Sequence, residues 1–134
     1  MHWTGAPATD WSLLVADETG LPALAAIAET LPAGHRAIAV VEIAGASDRQ
    51  PLPSAADLDV HWLHRDGRPP GTTTLLADAV DALVLPAGDG RGWGGGEALA
   101  MRHGRRHLRE DRGMPAPAVS VLGYWKHRDT EEWE

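Results

Sequence analysis

Three short runs of this sequence combine residue types that can hold a polar ligand. In the first, Asp17-Glu-Thr-Gly-Leu-Pro-Ala23, two acids, a threonine and a glycine separate a short apolar run from a helical one. The first N–H groups of a helix are unpaired and carry about half a positive charge, so such a turn tends to hold an anion. Thr19 can hydrogen-bond to a ribose or a phosphate. Asp17 and Glu18 would repel a phosphate, which favours helix capping or binding of hydroxyl groups.

The other two runs offer a flexible backbone and aromatic rings. Trp93-Gly-Gly-Gly-Glu-Ala98 contains three successive glycines, which let a ligand approach the main chain closely. Gly123-Tyr-Trp-Lys126 ends on the only lysine of the chain, which attracts a carboxylate or phosphate as a point charge. Tyr124 and Trp125 can stack on a flat ring, although burial at the end of a strand explains each of them almost as well.

Strands and helices alternate around these runs. Apolar runs, one alternating run and one glycine-softened run predict five strands, at Ser12–Ala16, Arg36–Ile43, Leu58–Leu63, Asp89–Gly94 and Ala118–Leu122. Helical patterns with their start and stop signals predict three helices, at Leu21–Leu31, Thr73–Val84 and Gly96–Arg112. Thr72 or Thr73 is the expected cap of the second helix. Residues 1–10 are predicted as a linker remnant or disordered start, 11–126 as the domain, and 127–134 as a solvated acidic tail.

The alternation predicts the α/β fold class: five strands in a mostly parallel sheet with helices on both faces. Ligands of such sheets gather at the carboxyl ends of the strands. All three polar runs lie at those ends, so we expect them to meet at one edge of the sheet.

The same three runs, in the same order, resemble the carboxyl-terminal half of the siderophore-interacting protein family. That family carries an Asp-Glu-Thr-x-x-Pro-Ala turn, a Trp-x-x-Gly-Glu-Ala turn and a Gly-Tyr-Trp-Arg segment. The run Trp62-Leu-His-Arg-Asp-Gly67 also resembles the family, whereas Lys126 stands where arginine is usual. The resemblance covers about residues 10–126 and implies a sheet like the NADP-binding module of ferredoxin reductases.

The resemblance implies an NAD(P)H-binding domain that passes hydride to FAD, which then reduces a ferric siderophore so that its iron is released. NADPH or NADH is the expected cofactor here, and no catalytic residue is expected. A flavin-binding half is not found upstream of residue 12, so FAD would come through a separate or missing domain, with the ferric siderophore near that interface. The chain is then a fragment or a docking subunit; the alternative is a stand-alone, non-catalytic domain that binds a small molecule or a partner.

Cofactor preference stays open at the sequence level. Glu42, at the end of the second strand, stands where an acid reads the ribose 2′-hydroxyl in dinucleotide folds, which favours NADH. Arg49 can equally meet a 2′-phosphate, which favours NADPH. The expected cofactor-binding residues are Asp17, Glu18, Thr19, Gly20, Pro22, Glu42, Gly94, Gly95, Gly96, Glu97, Tyr124, Trp125 and Lys126.

Composition narrows the remaining function classes. The chain has 134 residues, no cysteine and a net charge of −7. The length predicts one core, and the absence of thiols excludes disulfides, thiolate metal sites and cysteine catalysis. The negative charge argues against nucleic acid as a partner. No apolar run is long enough to span a membrane and no signal peptide opens the chain, so the cytoplasm is the expected location.

The third predicted helix can be tested by angle. At about 100° per residue, Ala98, Met101, Gly104 and Leu108 share the arc that should face the sheet. Close approach of the helix to the sheet is the expected reason for Gly104. His103 and His107 are predicted on the opposite, solvated face with the arginines around them, and no metal site is expected there.

Overall fold

The computed structural model describes residues 9–126, which form one five-stranded parallel sheet with helices on both faces. The strands are β1 (Trp11–Ala16), β2 (Arg36–Ile43), β3 (Asp57–His64), β4 (Gly90–Glu97) and β5 (Val119–Trp125). The helices are α1 (Leu21–Thr30), α2 (Leu75–Ala82) and α3 (Ala98–Arg106), and α3 continues into a π-helical turn at His107–Asp111. Short 3₁₀ turns lie at Ala46–Asp48 and Ala116–Ala118.

The strand order is β3-β2-β1-β4-β5, and all four pairings are parallel. The chain builds outward from β1 to β3 and then returns to the other side of β1 for β4 and β5. Strand order therefore reverses between β1 and β4. In open α/β sheets, the crevice outside the carboxyl ends of the strands at such a reversal is the usual ligand position.

Two apolar cores cover the two faces of the sheet. On one face, Leu14 of β1 packs with Leu24 and Ile27 of α1. On the other face, Leu13 packs in a cluster that includes Leu76 of α2 and, from α3 and the turn after it, Met101 and Leu108. Because successive side chains of a strand point to opposite faces, β1 contributes to both cores and every one of its residues is buried. This explains why every residue of β1 except Ser12 is apolar.

The observed elements differ from the predicted ones mainly at their ends. β2 has its predicted bounds, whereas β4 runs three residues further, through the glycines to Glu97, and β5 runs on to Trp125. The start predicted for α3 at Gly96 is therefore wrong, since Gly94 to Gly96 pair with β5 as strand residues. α2 is shorter than predicted, and its cap position is Thr74, whose side chain makes no capping hydrogen bond.

The solvated position predicted for His107 is also wrong. Its Nδ1 lies 2.8 Å from Asp111 and 3.3 Å from Asp81, and Arg112 Nε donates to its Nε2 at 3.0 Å, so the side chain is buried. His103 stays exposed and contacts Asp81 as well. Within residues 9–126, no group of three or more histidine, cysteine, aspartate or glutamate side chains is arranged so that it could hold a metal ion.

The expectation for Gly104 fails too. Met101 and Leu108 face the sheet as predicted, but a Cβ added at Gly104 would meet nothing within 4 Å. Close approach to the sheet is therefore not what this glycine provides, and nothing in the structure explains it.

The division of the chain into linker, domain and acidic tail stays a prediction. Residues 1–8 and the acidic tail, 127–134, lie outside the described residues. Asp10, placed in the linker, pairs with the residue before β4: its N–H donates to Asp89 O, and its carboxylate accepts from Asp89 N, each at 2.7 Å. No helix in the described part of the chain is long and apolar enough to cross a bilayer.

Candidate functional site

The carboxyl ends of β1, β4 and β5 meet at the buried side chain of Asp17. Its Oδ1 accepts hydrogen bonds from the main-chain N–H of Thr19, at 2.9 Å, and from the Thr19 hydroxyl. Its Oδ2 accepts from Glu97 N at 2.9 Å and from Trp125 Nε1 at 3.0 Å. Four donors on one carboxylate satisfy it without a ligand. Asp17 therefore ties together the three runs in which the sequence predicts a binding site.

Asp17 does not cap α1. The cap position is Gly20, which has no side chain to cap with, and the main-chain oxygen of Asp17 accepts from Gly20 N at 3.1 Å and Leu21 N at 3.0 Å. Pro22, in the first turn, has no N–H. Few of the first donors of α1 therefore remain for an anion, although the helix dipole still points at this edge.

Glu97 caps α3 with its own carboxylate. Its two oxygens accept from Leu99 N at 2.9 Å and from Ala100 N at 3.1 Å. These are donors that an anion at this helix terminus would otherwise use. Glu97 is buried and is the last residue of β4, so its carboxylate lies beneath the surface that a ligand at this edge would contact.

Three of the glycines let segments of the chain approach one another. A Cβ on Gly20 would overlap the carbonyl oxygen of Gly95, and a Cβ on Gly96 would lie 2.8 Å from the Asp17 carboxyl carbon. A Cβ on Gly95 would lie 2.8 Å from Cζ of Tyr124. A side chain at any of these positions would push the three converging runs apart.

Gly94 belongs to the core below this edge. A Cβ there would lie 3.1 Å from the sulfur of Met101 and 3.2 Å from Val121. It thus faces the helices α2 and α3, away from Gly95 and the Tyr124 ring.

A second buried network lies beside Asp17, at the carboxyl ends of β1, β2 and β3. Arg65 pairs with Glu18 through both of its terminal nitrogens, and its Nη1 also donates to Glu42 Oε2 at 3.1 Å. The other oxygen of Glu42 accepts from the Thr73 hydroxyl at 2.9 Å. The ion pairs hold the pKa of Glu18 below its ordinary value and raise the pKa of Arg65.

The predicted site residues therefore fall into two groups by exposure. Asp17, Gly20, Glu42 and Glu97 are buried, as are Gly94 to Gly96, and the hydrogen bonds made by their polar side chains run within the chain. A ligand can reach the rest, which are partly or fully exposed: Glu18, Thr19, Pro22, Tyr124, Trp125 and Lys126.

Arg65 was not predicted as a site residue, and Thr73 was predicted only as a possible cap of the second helix. Arg65 lies in the run Trp62 to Gly67, which carries part of the family resemblance, and follows a predicted strand. The signal that was available is Glu42: an acid at the end of a buried strand needs a cationic or hydrogen-bonding partner nearby.

A cavity of about 570 Å³ opens at the opposite edge of the sheet, beside the amino ends of β1, β4 and β5. Its lining includes Trp11, Met114 and Arg112. The Arg112 guanidinium already donates to His107 and to the carbonyl of Leu83. We place the candidate site at the carboxyl edge, because strand order reverses there and the polar runs converge there.

Comparison with known proteins agrees with this architecture. The sequence model for siderophore-interacting proteins matches residues 9–128. The chain belongs to the siderophore-interacting protein family.

Individual relatives match about half of their own length. An uncharacterized protein of Mycobacterium tuberculosis is 36% identical over 94% of this chain and 48% of its own length. The ferric vibriobactin reductase ViuB of Vibrio cholerae is 26% identical over 92% of this chain and 45% of its own length.

Solved structures show the same relation. A siderophore utilization protein from T. fusca superposes with a TM-score of 0.83 at 39% identity, covering 91% of this chain and 47% of that protein. The siderophore-interacting protein SipS from Aeromonas hydrophila gives a TM-score of 0.78 at 28% identity, over 90% of this chain and 47% of that one. The chain therefore spans about half the length of these relatives.

Proposed function

We propose that this chain is the NAD(P)H-binding half of a ferric-siderophore reductase, which works with a flavin-binding domain or subunit. The observation that carries the proposal is the convergence of three runs on Asp17 at the point where strand order reverses. Support comes from the family membership and from the name of the Vibrio cholerae relative, ferric vibriobactin reductase. When bound, the nicotinamide cofactor supplies a hydride to FAD, and the reduced flavin supplies electrons to the iron.

The exposed residues of the edge fit the nicotinamide end of such a cofactor. The Thr19 hydroxyl donates its proton to Asp17, so its remaining lone pairs accept, as a ribose hydroxyl or a carboxamide N–H requires. Tyr124, packed over Gly95, is 42% exposed and presents an aromatic ring. Trp125 donates its indole N–H to Asp17, which holds that side of the ring at this edge.

Lys126 carries the one positive charge among the proposed cofactor-binding residues, and we assign it to a phosphate of the cofactor. The acidic residues of the edge do not oppose this. Asp17 is surrounded by four donors, and Glu18 is paired with Arg65. Hydrogen bonds stabilise the Asp17 carboxylate, and the charge of Glu18 is neutralised by Arg65.

Titration with NADPH and NADH tests the proposal. We expect saturable binding of at least one dinucleotide, measured by calorimetry or by quenching of tryptophan fluorescence. Tyr124→Ala should weaken binding about 10-fold, since stacking on one aromatic ring contributes about 1–3 kcal/mol. Leu122→Ala is the matched control, because Leu122 is 41% exposed two residues earlier on the same strand; it should change binding less than 2-fold.

Absence of binding by either dinucleotide up to millimolar concentration would count against a nicotinamide site in this chain. A stand-alone domain that binds another small molecule or a partner would then be the better proposal. Binding that Tyr124→Ala and Leu122→Ala weaken equally would move the nicotinamide away from Tyr124.

A further inference from the structure

The Glu42 carboxylate is not accessible to a ribose hydroxyl, the group to which an acid at this position commonly hydrogen-bonds in dinucleotide folds. It is 6% exposed, one carboxylate oxygen accepts from Thr73, and the other accepts from Arg65. Arg65 is itself 3% exposed and is held by Glu18 as well. A bound ribose would therefore meet the outer side of this network, and Glu42 cannot provide a preference for NADH.

Two exposed arginines lie immediately outside this network, at the carboxyl ends of β2 and β3. Arg49 follows the 3₁₀ turn after β2, where its N–H donates to Ala46 O at 3.3 Å. Its Nε donates to the ring nitrogen Nε2 of His64 at 3.1 Å. Arg68 follows β3, and its Nη2 donates to the carbonyl of the same His64 at 3.4 Å. Both guanidinium groups thus contact the last residue of β3.

A tight turn fixes Arg68 in this position. Asp66 and Gly67 both have positive φ, 50° and 90°, as the central residues of a type I′ turn do. Arg68 N then donates to Arg65 O at 3.2 Å, and Arg68 Nε donates to the same oxygen at 2.8 Å. The guanidinium is held against the end of β3 instead of extending freely into solvent.

Building on the proposed dinucleotide site, we propose that Arg49 and Arg68 bind the 2′-phosphate of NADPH, so that this chain selects NADPH over NADH. In dinucleotide folds the adenosine ribose lies beside the end of the second strand, which is where Arg49 and Arg68 flank His64. A phosphate monoester carries about −1.5 to −2 charges at neutral pH, and arginine binds it with parallel hydrogen bonds. The neighbouring acid Asp48 accepts from Gly45 N in its own turn, at 3.1 Å, and not from either arginine.

Binding of four nucleotides to the full chain, measured by calorimetry, tests this assignment. NADPH and NADH differ only by the 2′-phosphate, and 2′,5′-ADP and 5′-AMP repeat that difference without a nicotinamide ring. Arg49→Ala and Arg68→Ala should each weaken NADPH and 2′,5′-ADP about 10-fold or more, as loss of a hydrogen bond to a charged group predicts. NADH and 5′-AMP should change less than 2-fold. Arg36→Ala, which removes the same charge at the exposed amino end of β2, should leave all four unchanged.

Each alternative outcome identifies which proposal fails. If neither dinucleotide binds the unaltered chain, the nicotinamide site itself is wrong and this assignment fails with it. If NADH binds as tightly as NADPH, or if the double variant of Arg49 and Arg68 leaves the NADPH to NADH ratio unchanged, only the 2′-phosphate assignment is overturned. If Arg36→Ala weakens NADPH binding as much as Arg49→Ala and Arg68→Ala do, the effect comes from net charge alone, and the 2′-phosphate assignment is overturned as well.

Discussion

Arg65 is the residue on which the network at the ends of β1, β2 and β3 depends. It is 3% exposed, contacts two carboxylates, and its Nε has no hydrogen-bond partner among the described residues. A buried ion pair contributes little over an apolar replacement of the whole group, but removal of one partner leaves a charge uncompensated. Removal of Arg65 alone should therefore cost more folding stability than replacement of the arginine and its acidic partner together.

Replacement of Arg65 by Met should destabilise the fold by about 3–5 kcal/mol, because Glu42 is left buried with only Thr73 as a partner. Urea denaturation measures the change. Adding Glu42→Gln to Arg65→Met should recover part of the loss, since the uncompensated charge is then removed. If the double variant is no more stable than Arg65→Met, the loss comes from packing of the arginine stem and not from the stranded carboxylate.

Glu18 should make stability depend on pH in the acid range. Its hydrogen bonds and charge pairing with Arg65 hold its pKa in the folded chain below the ordinary 4.5, so the unfolded chain takes up the proton first as pH falls. The stabilisation is fully present above about pH 4.5 and is lost as pH falls through the folded value. We expect the stability difference between the native chain and Glu18→Gln to shrink below pH 4.5.

Denaturation curves of the two proteins between pH 7 and pH 3 measure that difference. The comparison cancels His35, whose pKa is lowered by burial and which weakens both proteins alike once the unfolded chain is protonated, below about pH 6.5. A difference that stays constant down to pH 3 would show that Arg65 does not stabilise the charged form of Glu18.

At the scale of elements, apolar periodicity predicts the buried strands well and the glycine-rich segments poorly. β2 is apolar without interruption from Ala37 to Val41, and its predicted bounds are the observed ones. Gly94 to Gly96 carry no side chains to show a period, so a strand and a turn have the same sequence pattern there. What decides is pairing with β1 and β5, which is a long-range contact.

His107 was misplaced for a related reason. An angular projection of α3 describes only that helix, whereas burial of His107 comes from Asp81 at the end of α2 and from Arg112. The π-helical turn, in which Arg112 N donates to His107 O at 3.0 Å, also departs from 100° per residue. The helix itself was predictable; its neighbours were not.

The turn before α1 should tolerate no side chain at Gly20. Gly20→Ala would place a Cβ 2.1 Å from the carbonyl oxygen of Gly95, and because that oxygen belongs to the backbone, one of the two runs must move. We expect a loss of about 2–4 kcal/mol, at the upper end of ordinary substitutions. Gly104→Ala is the matched control: it has open space in the middle of α3 and should stabilise by up to about 1 kcal/mol.

Thermal or urea unfolding of the two alanine variants decides this point. Equal, small effects would mean that the chain around Gly20 adjusts without cost. The runs at the carboxyl edge would then be less tightly packed than the distances between them indicate.

At the scale of the whole molecule, the sequence predicted the fold class and the edge where the polar runs meet, because alternating elements leave few arrangements. The sequence did not predict which of the polar side chains form hydrogen bonds within the chain at that edge and are therefore not available to a ligand. Asp17 and Glu42 have the residue types of a binding site, yet their hydrogen bonds run within the chain. Only the three-dimensional pairing of strand ends separates such residues from Thr19 and Tyr124, which face outward.

The four hydrogen bonds on the Asp17 carboxylate have a consequence for how this edge meets a ligand. They link the turn after β1 to the end of β4 and the end of β5, so these segments lose their conformational freedom when the chain folds. A molecule that binds here then encounters one shape, and little further entropy is lost in ordering the receptor. We therefore expect a ligand to bind at this edge without a closing movement of the chain, at a rate of association set by diffusion and charge.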